Sequence, residues 1–249
     1  MTFMMKNVSY SIKNNGERKS ILRNINLEAA AGEFVSIIGK SGTGKSTLLK
    51  LACGLEKPDE GEIMIQNMPS VPGSAGYMPQ KDLLLPWRTV MDNLLLSPEL
   101  QKEKKEKKKE AEALLERVGL SACQEAYPHE LSGGMRQRIA FLRTLLTGKD
   151  VLFLDEPFGA LDAMTKKDMH QWMAALWREL NKTIVLVTHD LHEAVFLSDR
   201  IIVLHPSGET EEIMVQLPRP REAFLTPEIT GLINTLESRI THESYQGIS

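Results

Sequence analysis

An α/β fold with a mostly parallel sheet, an antiparallel β part at the N-terminus and an inserted helical block is predicted by three observations. An apolar, β-branched stretch at 33–39 runs straight into a glycine-rich loop and then a short helix. Two further apolar runs of strand length, 151–154 and 184–187, flank the amphipathic stretch 165–180, a strand–helix–strand unit with parallel strands. Between 81 and 149 the periodicity turns helical.

In chain order, 20–27 and 33–39 carry the residues of strands, with Gly32 turning between them. Residues 47–55 read as a helix closed by Gly54, and 61–66 as the next strand. Helices are predicted at 90–96, 110–118 and 135–146. The run Lys102 to Glu110, KEKKEKKKE, interleaves acids with bases and reads as a solvated helix face rather than a nucleic-acid track. Residues 201–204 form the last buried strand. The domain reading is a nucleotide-binding core of 1–80 and 150–217, a helical subdomain of 81–149, and a short proline-punctuated, weakly helical tail of 218–249.

With 249 residues, 42% of them hydrophobic, the chain is long enough to bury a full core as one domain with an insertion. A net charge of -3, from 30 basic and 33 acidic side chains, gives no reason to expect a nucleic-acid partner. The first residues include Lys6 and soon become polar, unlike a signal peptide, so a cytosolic location is expected. No apolar run approaches the roughly 20 residues that span a bilayer, so any membrane role is peripheral. Cys53 and Cys123 stand apart without metal-site spacing and read as packing residues.

Gly39-Lys40-Ser41-Gly42-Thr43-Gly44-Lys45-Ser46, followed by Thr47, fits the eight-position phosphate-loop pattern. Gly42 and Gly44 permit backbone conformations that aim successive amide groups inward at the positive end of the next helix. Lys45 suits the β- and γ-phosphates of a nucleotide, Ser46 offers a hard oxygen to Mg2+, and Thr47 reaches the α-phosphate; alone, the loop says only nucleotide phosphate. Asp155 and Glu156 follow four apolar residues, which delivers two carboxylates to the sheet edge. Asp155 is the magnesium candidate, and Glu156 the base that orients or deprotonates the attacking water. His189, after the apolar run 184–187, is placed to reach the γ-phosphate. The catalytic set is therefore Glu156, His189 and Lys45, and the metal set is Ser46, Asp155 and, by the resemblance that follows, Gln80.

Leu131-Ser132-Gly133-Gly134-Met135-Arg136-Gln137-Arg138 is a second anion-binding helix start, with a serine cap and two glycines. One nucleotide hardly needs two such cradles from one chain. Here the sequence resembles the ABC ATPase family, whose signature this is, over nearly its whole length. The resemblance implies that ATP held by one subunit's phosphate loop is covered by Ser132, Gly133 and Gly134 of a second ATP-binding subunit, in the simplest case a copy of the same chain. It also implies that Gly159-Ala160-Leu161-Asp162 links the two sites, and that Gln80 touches magnesium and senses the transporter. Met135 stands where many relatives carry glutamine, without an expected loss of activity. The aromatic that stacks on adenine falls near Tyr10 or Ile12, which simple alternation puts on one strand face, and Tyr10 is the candidate.

The segments Asp82-Leu83-Leu84-Leu85-Pro86-Trp87-Arg88-Thr89-Val90 and Leu217-Pro218-Arg219-Pro220-Arg221 resemble the importers of nitrate, sulfonates, taurine and related small anions, and of some vitamin precursors. That resemblance implies transmembrane permease partners, an extracytoplasmic solute-binding protein met indirectly, and a place on the cytoplasmic face of the cell membrane. Trp87 suits either a permease contact or ordinary packing. The competing readings are a soluble ABC ATPase of DNA repair or translation and a small-molecule phosphoryl transferase. The first lacks a basic track here, and the second has no use for 131–138.

Overall fold

Runs of wholly buried apolar residues make the central sheet. The computed structural model describes residues 1–14, 17–159, 161–219, 221 and 226–241. Strands β3 (Phe34–Ile38), β7 (Val151–Asp155), β8 (Thr183–Val187) and β9 (Arg200–Leu204) are buried along their whole length, as expected of strands covered on both faces. They pair in parallel, with β6 (Gly76–Met78) outside β7, and the antiparallel β10 (Thr210–Met214) closes the far edge. The order is β10-β9-β3-β8-β7-β6. The sequence gives no warning of β10, a partly exposed edge strand whose Thr210, Glu211 and Glu212 carry no apolar signal.

A second sheet is antiparallel. β1 (Phe3–Asn14) lies between β2 (Glu17–Ala29) and β4 (Glu60–Ile65), with β5 (Met68–Pro69) at the edge. Arg200 ties the two sheets together: it donates to Glu33 Oε1 at 2.8 Å, Glu212 Oε2 at 2.8 Å and the Glu28 carbonyl of β2 at 2.6 Å. The register of β1 against β2 shifts between Met5 and Val8, Val8 and Tyr10, and Tyr10 and Ser11. These bulges break the alternation, so Tyr10 packs partly buried against the core while Ile12 is exposed.

The helical block comprises α2 (Val90–Leu94), α3 (Leu96–Leu100), α4 (Lys104–Arg117) and α5 (Gly133–Leu145). The predicted helix 90–96 is thus two short helices meeting at Leu95. α4 begins inside the charged run, whose Lys and Glu side chains carry no apolar periodicity from which to read its start; it buries Ala111, Leu114 and Leu115. Leu94, Leu115, Ile139 and Leu142 of this block share one cluster with Leu152, Leu154, Leu186 and Trp177 of the sheet and its covering helix. The insertion therefore packs as an extension of the central core.

The remaining helices are α1 (Lys45–Ala52), α6 (Ala163–Leu180), α7 (Leu191–Leu197) and α8 (Pro227–Thr241). α1 starts two residues before the predicted Thr47, because Gly44, at φ 95°, serves as its N-cap. In the tail, α8 buries Ile229, Ile233 and Leu236 against Ala194, Val195, Ile201 and Val203. Arg219 and Arg221 fasten the chain on the way to α8; Pro220 between them lies outside the described residues. Arg221 donates to the carbonyls of Val195, Phe196 and Ser198 at 2.8, 3.1 and 2.7 Å, supplying the donors that the C-terminus of α7 lacks. Burial pushes its guanidinium down to about 10. Arg219 donates to Asp199 at 3.1 Å and lies 4.4 Å over the Trp177 ring. Arg221→Ala is expected to lower stability by about 3 kcal/mol, since buried carbonyls lose their partners; denaturant unfolding of the two chains measures it.

Candidate active site

The carboxyl ends of four adjacent parallel strands, β3, β8, β7 and β6, deliver the phosphate loop, His189, Asp155 with Glu156, and Gln80 to one edge of the sheet. That edge is where open α/β sheets bind ligands. A cleft of about 490 Å³ opens there, lined by Ser41, Gly42, Gly44, Lys45, Ser46, Thr47, Gln80, Glu156, His189 and Ile21.

The loop's shape follows from its glycines. Gly42 and Gly44 hold φ of 83° and 95°, a region glycine enters without penalty. Gly39 admits no side chain, because a Cβ there would sit 2.4 Å from the Leu204 carbonyl oxygen. Thr43 is buried and its hydroxyl donates to the Lys40 carbonyl at 3.0 Å. Lys45 Nζ donates to the Gly39 and Lys40 carbonyls at 2.8 and 2.9 Å. Burial lowers its pKa, while the charges of Glu156 and Asp155 work in the opposite direction. Ser46 Oγ donates to Asp155 Oδ1 at 3.1 Å. Burial raises the Asp155 pKa against the opposing Ser46 hydrogen bond.

Glu156 Oε2 is the meeting point of the site. It accepts from Gln80 Nε2 at 3.0 Å and lies 3.2 Å from His189 Nδ1. The Glu156 backbone has φ 46°, in the left-handed region, and its N–H donates to the Val187 carbonyl of β8 at 2.9 Å. Holding a non-glycine residue there costs on the order of 1–3 kcal/mol, and the bonds to two neighbouring elements fix it.

The segment that follows Gln80 is bound to the helix of the second glycine motif. Arg136 Nε donates to Asp82 Oδ2 at 3.1 Å, and Arg143 donates to the carbonyls of Asp82 and Leu83 at 2.6 and 2.7 Å. Buried Asn93 closes the turn by accepting from Leu85 N–H at 2.7 Å and donating to the Arg88 carbonyl at 3.1 Å. Trp87 and Leu83 are left 72% and 58% exposed. Ser132 caps α5, accepting from the Met135 N–H at 3.3 Å. Gly134 packs where a Cβ would lie 3.1 Å from Thr165 and 3.2 Å from Leu161. Neither Ser132, Gly133 nor Gly134 lines the chain's own cleft. Ala160 lies outside the described residues.

Tyr10 lies apart from the cleft. It is not among the cleft's lining residues, and its hydroxyl donates to Glu56 Oε2 at 3.3 Å. Among the described residues, the apolar side chain that lines the cleft is Ile21, packed with Leu22 where a Gly44 Cβ would be. No motif marks Ile21; it reaches the site only because β2 runs behind the loop.

The ABC transporter family profile matches residues 22–159. The chain belongs to the ABC transporter family. This cassette is 47% identical over 184 residues to the formylaminopyrimidine import ATP-binding protein ThiZ of Halalkalibacterium halodurans, covering 74% of this chain and 72% of that one. It is 45% identical over 202 residues to an aliphatic sulfonates import ATP-binding protein, SsuB 1, of Rhodococcus jostii, covering 81% and 80%. To the nitrate import ATP-binding protein NrtD of Synechocystis sp. it is 43% identical over 214 residues, covering 83% and 80%. Among solved structures, the dimeric bacterial ABC transporter cassette MJ0796 superposes with a TM-score of 0.77 at 33% identity, covering 87% of this chain and all of that one. MJ0796 has also been solved as a dimer after hydrolysis, bound to ADP and Pi. The cassette is thus an ATPase that hydrolyses ATP for transport, the ATP-binding subunit of an ABC importer. Among the described residues no helix is long and apolar enough to cross a membrane.

An ion pair steadies the turn that carries His189. Lys166 on α6 lies 2.9 Å from Asp190 Oδ2, and Asp190 Oδ1 caps α7, accepting from His192 and Glu193 N–H. Burial works against the Asp190 carboxylate, but the Lys166 bond and charge outweigh it and hold the pKa below the ordinary value. A depressed carboxyl contributes stability above its unfolded value and loses it as pH falls through the folded one. Lys166→Met is expected to cost about 1 kcal/mol at neutral pH. That cost should shrink as pH falls below about 3.9, the unfolded aspartate value; urea unfolding at both pH values checks it.

Proposed function

We propose that the cassette works as a pair on the cytoplasmic face of the membrane, with each ATP held by one subunit's phosphate loop and covered by Ser132, Gly133 and Gly134 of the other. The observation that carries this reading is the second anion-binding helix start, which lies outside the chain's own cleft. The dimeric MJ0796 cassette, similar to nearly the whole chain, supports it.

Within each site Lys45, Ser46 and Thr47, with the loop amides of 39–44, bind the triphosphate. The donor set suits Mg2+: Ser46 Oγ and Asp155 are hard oxygens already 3.1 Å apart, with Gln80 nearby on Glu156. When bound there, the ion would neutralise charge developing on the phosphates. Glu156 accepts the proton of the attacking water as that oxygen bonds the γ-phosphorus and the β–γ bridging oxygen leaves with ADP. His189 holds Glu156 and the γ-phosphate in register. Closing and reopening of the pair drives alternating access in transmembrane permease subunits, which meet the exposed Trp87 and Leu83. An extracytoplasmic binding protein and the permease choose the solute.

The solute we assign is a small anion of the sulfonate or nitrate class, following the sequence of 82–90 and the SsuB and NrtD relatives. A formylaminopyrimidine is the second reading, favoured by the 47% identity to ThiZ. Affinity purification of the tagged chain from detergent-solubilised membranes tests the assembly. A polytopic permease is the expected companion, and recovery of soluble repair or ribosomal proteins alone would overturn the transport partner. In the recovered complex, supplied with its binding protein, an alkanesulfonate or nitrate should raise ATP turnover; stimulation by formylaminopyrimidine instead selects the second reading.

A further inference from the structure

His189 presents a problem of aim. Its imidazole is 61% exposed, yet it must stay 3.2 Å from Glu156 Oε2. Side-chain packing cannot hold so open a ring, so its position is set by the backbone on either side. That backbone is pinned from beneath. The Thr188 hydroxyl, itself buried, accepts from the Asp190 N–H at 3.0 Å and so closes a small loop around His189. The same hydroxyl donates to Glu193 Oε2, and the Thr188 N–H donates to the Ile37 carbonyl of β3 at 3.2 Å.

Glu193 is the unusual member. It is 2% exposed, on α7, with its second oxygen 3.6 Å from Nε2 of buried His170 on α6. The His170 ring lies edge-on to Phe158, with centroids 5.1 Å apart, in an apolar setting. Burying a carboxyl group is costly unless it is paired and hydrogen-bonded. Here it connects α6, α7 and the residue just before His189. One turn away, Lys166 and Asp190 join the same two helices.

We propose that Thr188 and Glu193 are positioning residues for His189: their buried hydrogen bond fixes the turn that aims the imidazole at Glu156. The inference rests on the proposed role of His189 and Glu156 at the γ-phosphate. Neither Thr188 nor Glu193 lines the cleft, so they act on turnover through His189 and leave ATP binding alone.

The test uses the full chain with ATP and Mg2+, measuring ATP turnover and, separately, binding of a fluorescent ATP analogue. Thr188→Val, which keeps the shape and removes the hydroxyl, is expected to lower kcat roughly 10- to 100-fold, with analogue affinity changed by less than about two-fold. Thr188→Ser restores the hydroxyl and should recover most of the loss. In a His189→Ala background Thr188→Val should cause no further fall, because residues acting through one group are not additive. A Thr188→Val chain that turns over as the parent does, or a loss repeated in full without His189, would overturn the inference. Glu193→Met, which removes the acceptor oxygen at similar length, gives a second route if Thr188→Val fails to fold as judged by thermal unfolding; its loss should likewise vanish in His189→Ala. Glu156→Gln in the same assay separates the two levels. Undiminished turnover there removes the underlying reading and the inference with it, whereas loss in Glu156→Gln beside unchanged Thr188→Val and Glu193→Met removes the inference alone.

Discussion

Glu156→Gln is expected to cut ATP turnover by about 10²- to 10⁴-fold, the range that a positioned general base contributes. The substitution keeps the shape and the oxygen that accepts from Gln80 at 3.0 Å. It removes the negative charge that faces His189 at 3.2 Å and that is proposed to receive the water's proton. The strained φ of 46° belongs to the backbone and is unaffected, so the variant should fold as the parent does. ATP affinity should hold or rise, since the proposed seat of the triphosphate is the loop at 39–47. A steady-state phosphate-release assay, paired with nucleotide binding, reads both halves of the expectation. A fall in affinity with unchanged kcat would place Glu156 in binding rather than in the chemical step.

Lys45→Met acts on the other half. The side chain is buried and its ammonium is lodged against the Gly39 and Lys40 carbonyls, with Glu156 and Asp155 close enough to oppose its desolvation. Removing the cation takes away the charge proposed to pair with the β- and γ-phosphates. Loss of one partner in a buried charged contact costs about 3 kcal/mol, or roughly 100-fold in affinity. Calorimetric titration with ATP should show that weakening, and turnover should fall with it. The carbonyls left behind also lose their donor, so a small drop in thermal stability is expected alongside. ATP bound as tightly by the variant as by the parent would remove Lys45 from the phosphate site.

Much of this site was legible because its parts are local. A phosphate loop is a strand, a run of glycines and a helix in direct succession, and 34–52 supplies them in that order. Asp155, Glu156 and His189 each end an apolar strand, and parallel pairing of β3, β8 and β7 makes those ends adjacent. The illegible parts depend on distance or on irregular pairing. Simple alternation does not give Tyr10 and Ile12 a common face, because three register shifts in β1 break the period of two. Ile21 entered the cleft from β2, far from any motif. Arg219 and Arg221 looked like a mark of a transporter subfamily. In the fold they clamp the end of α7, and one sits over Trp177. The Thr188–Glu193–His170 set joins two helices and the turn after β8, and each residue would pass for ordinary composition when read alone.

Sedimentation of Glu156→Gln tests the proposed composite site of two subunits most directly. With saturating ATP and Mg2+ and hydrolysis blocked, the variant should sediment as a stable dimer and return to monomer when nucleotide is removed or Ser132 is replaced by a bulky residue. A variant that stays monomeric at saturating ATP and Mg2+ would contradict the pairing of one chain's phosphate loop with another's Ser132, Gly133 and Gly134.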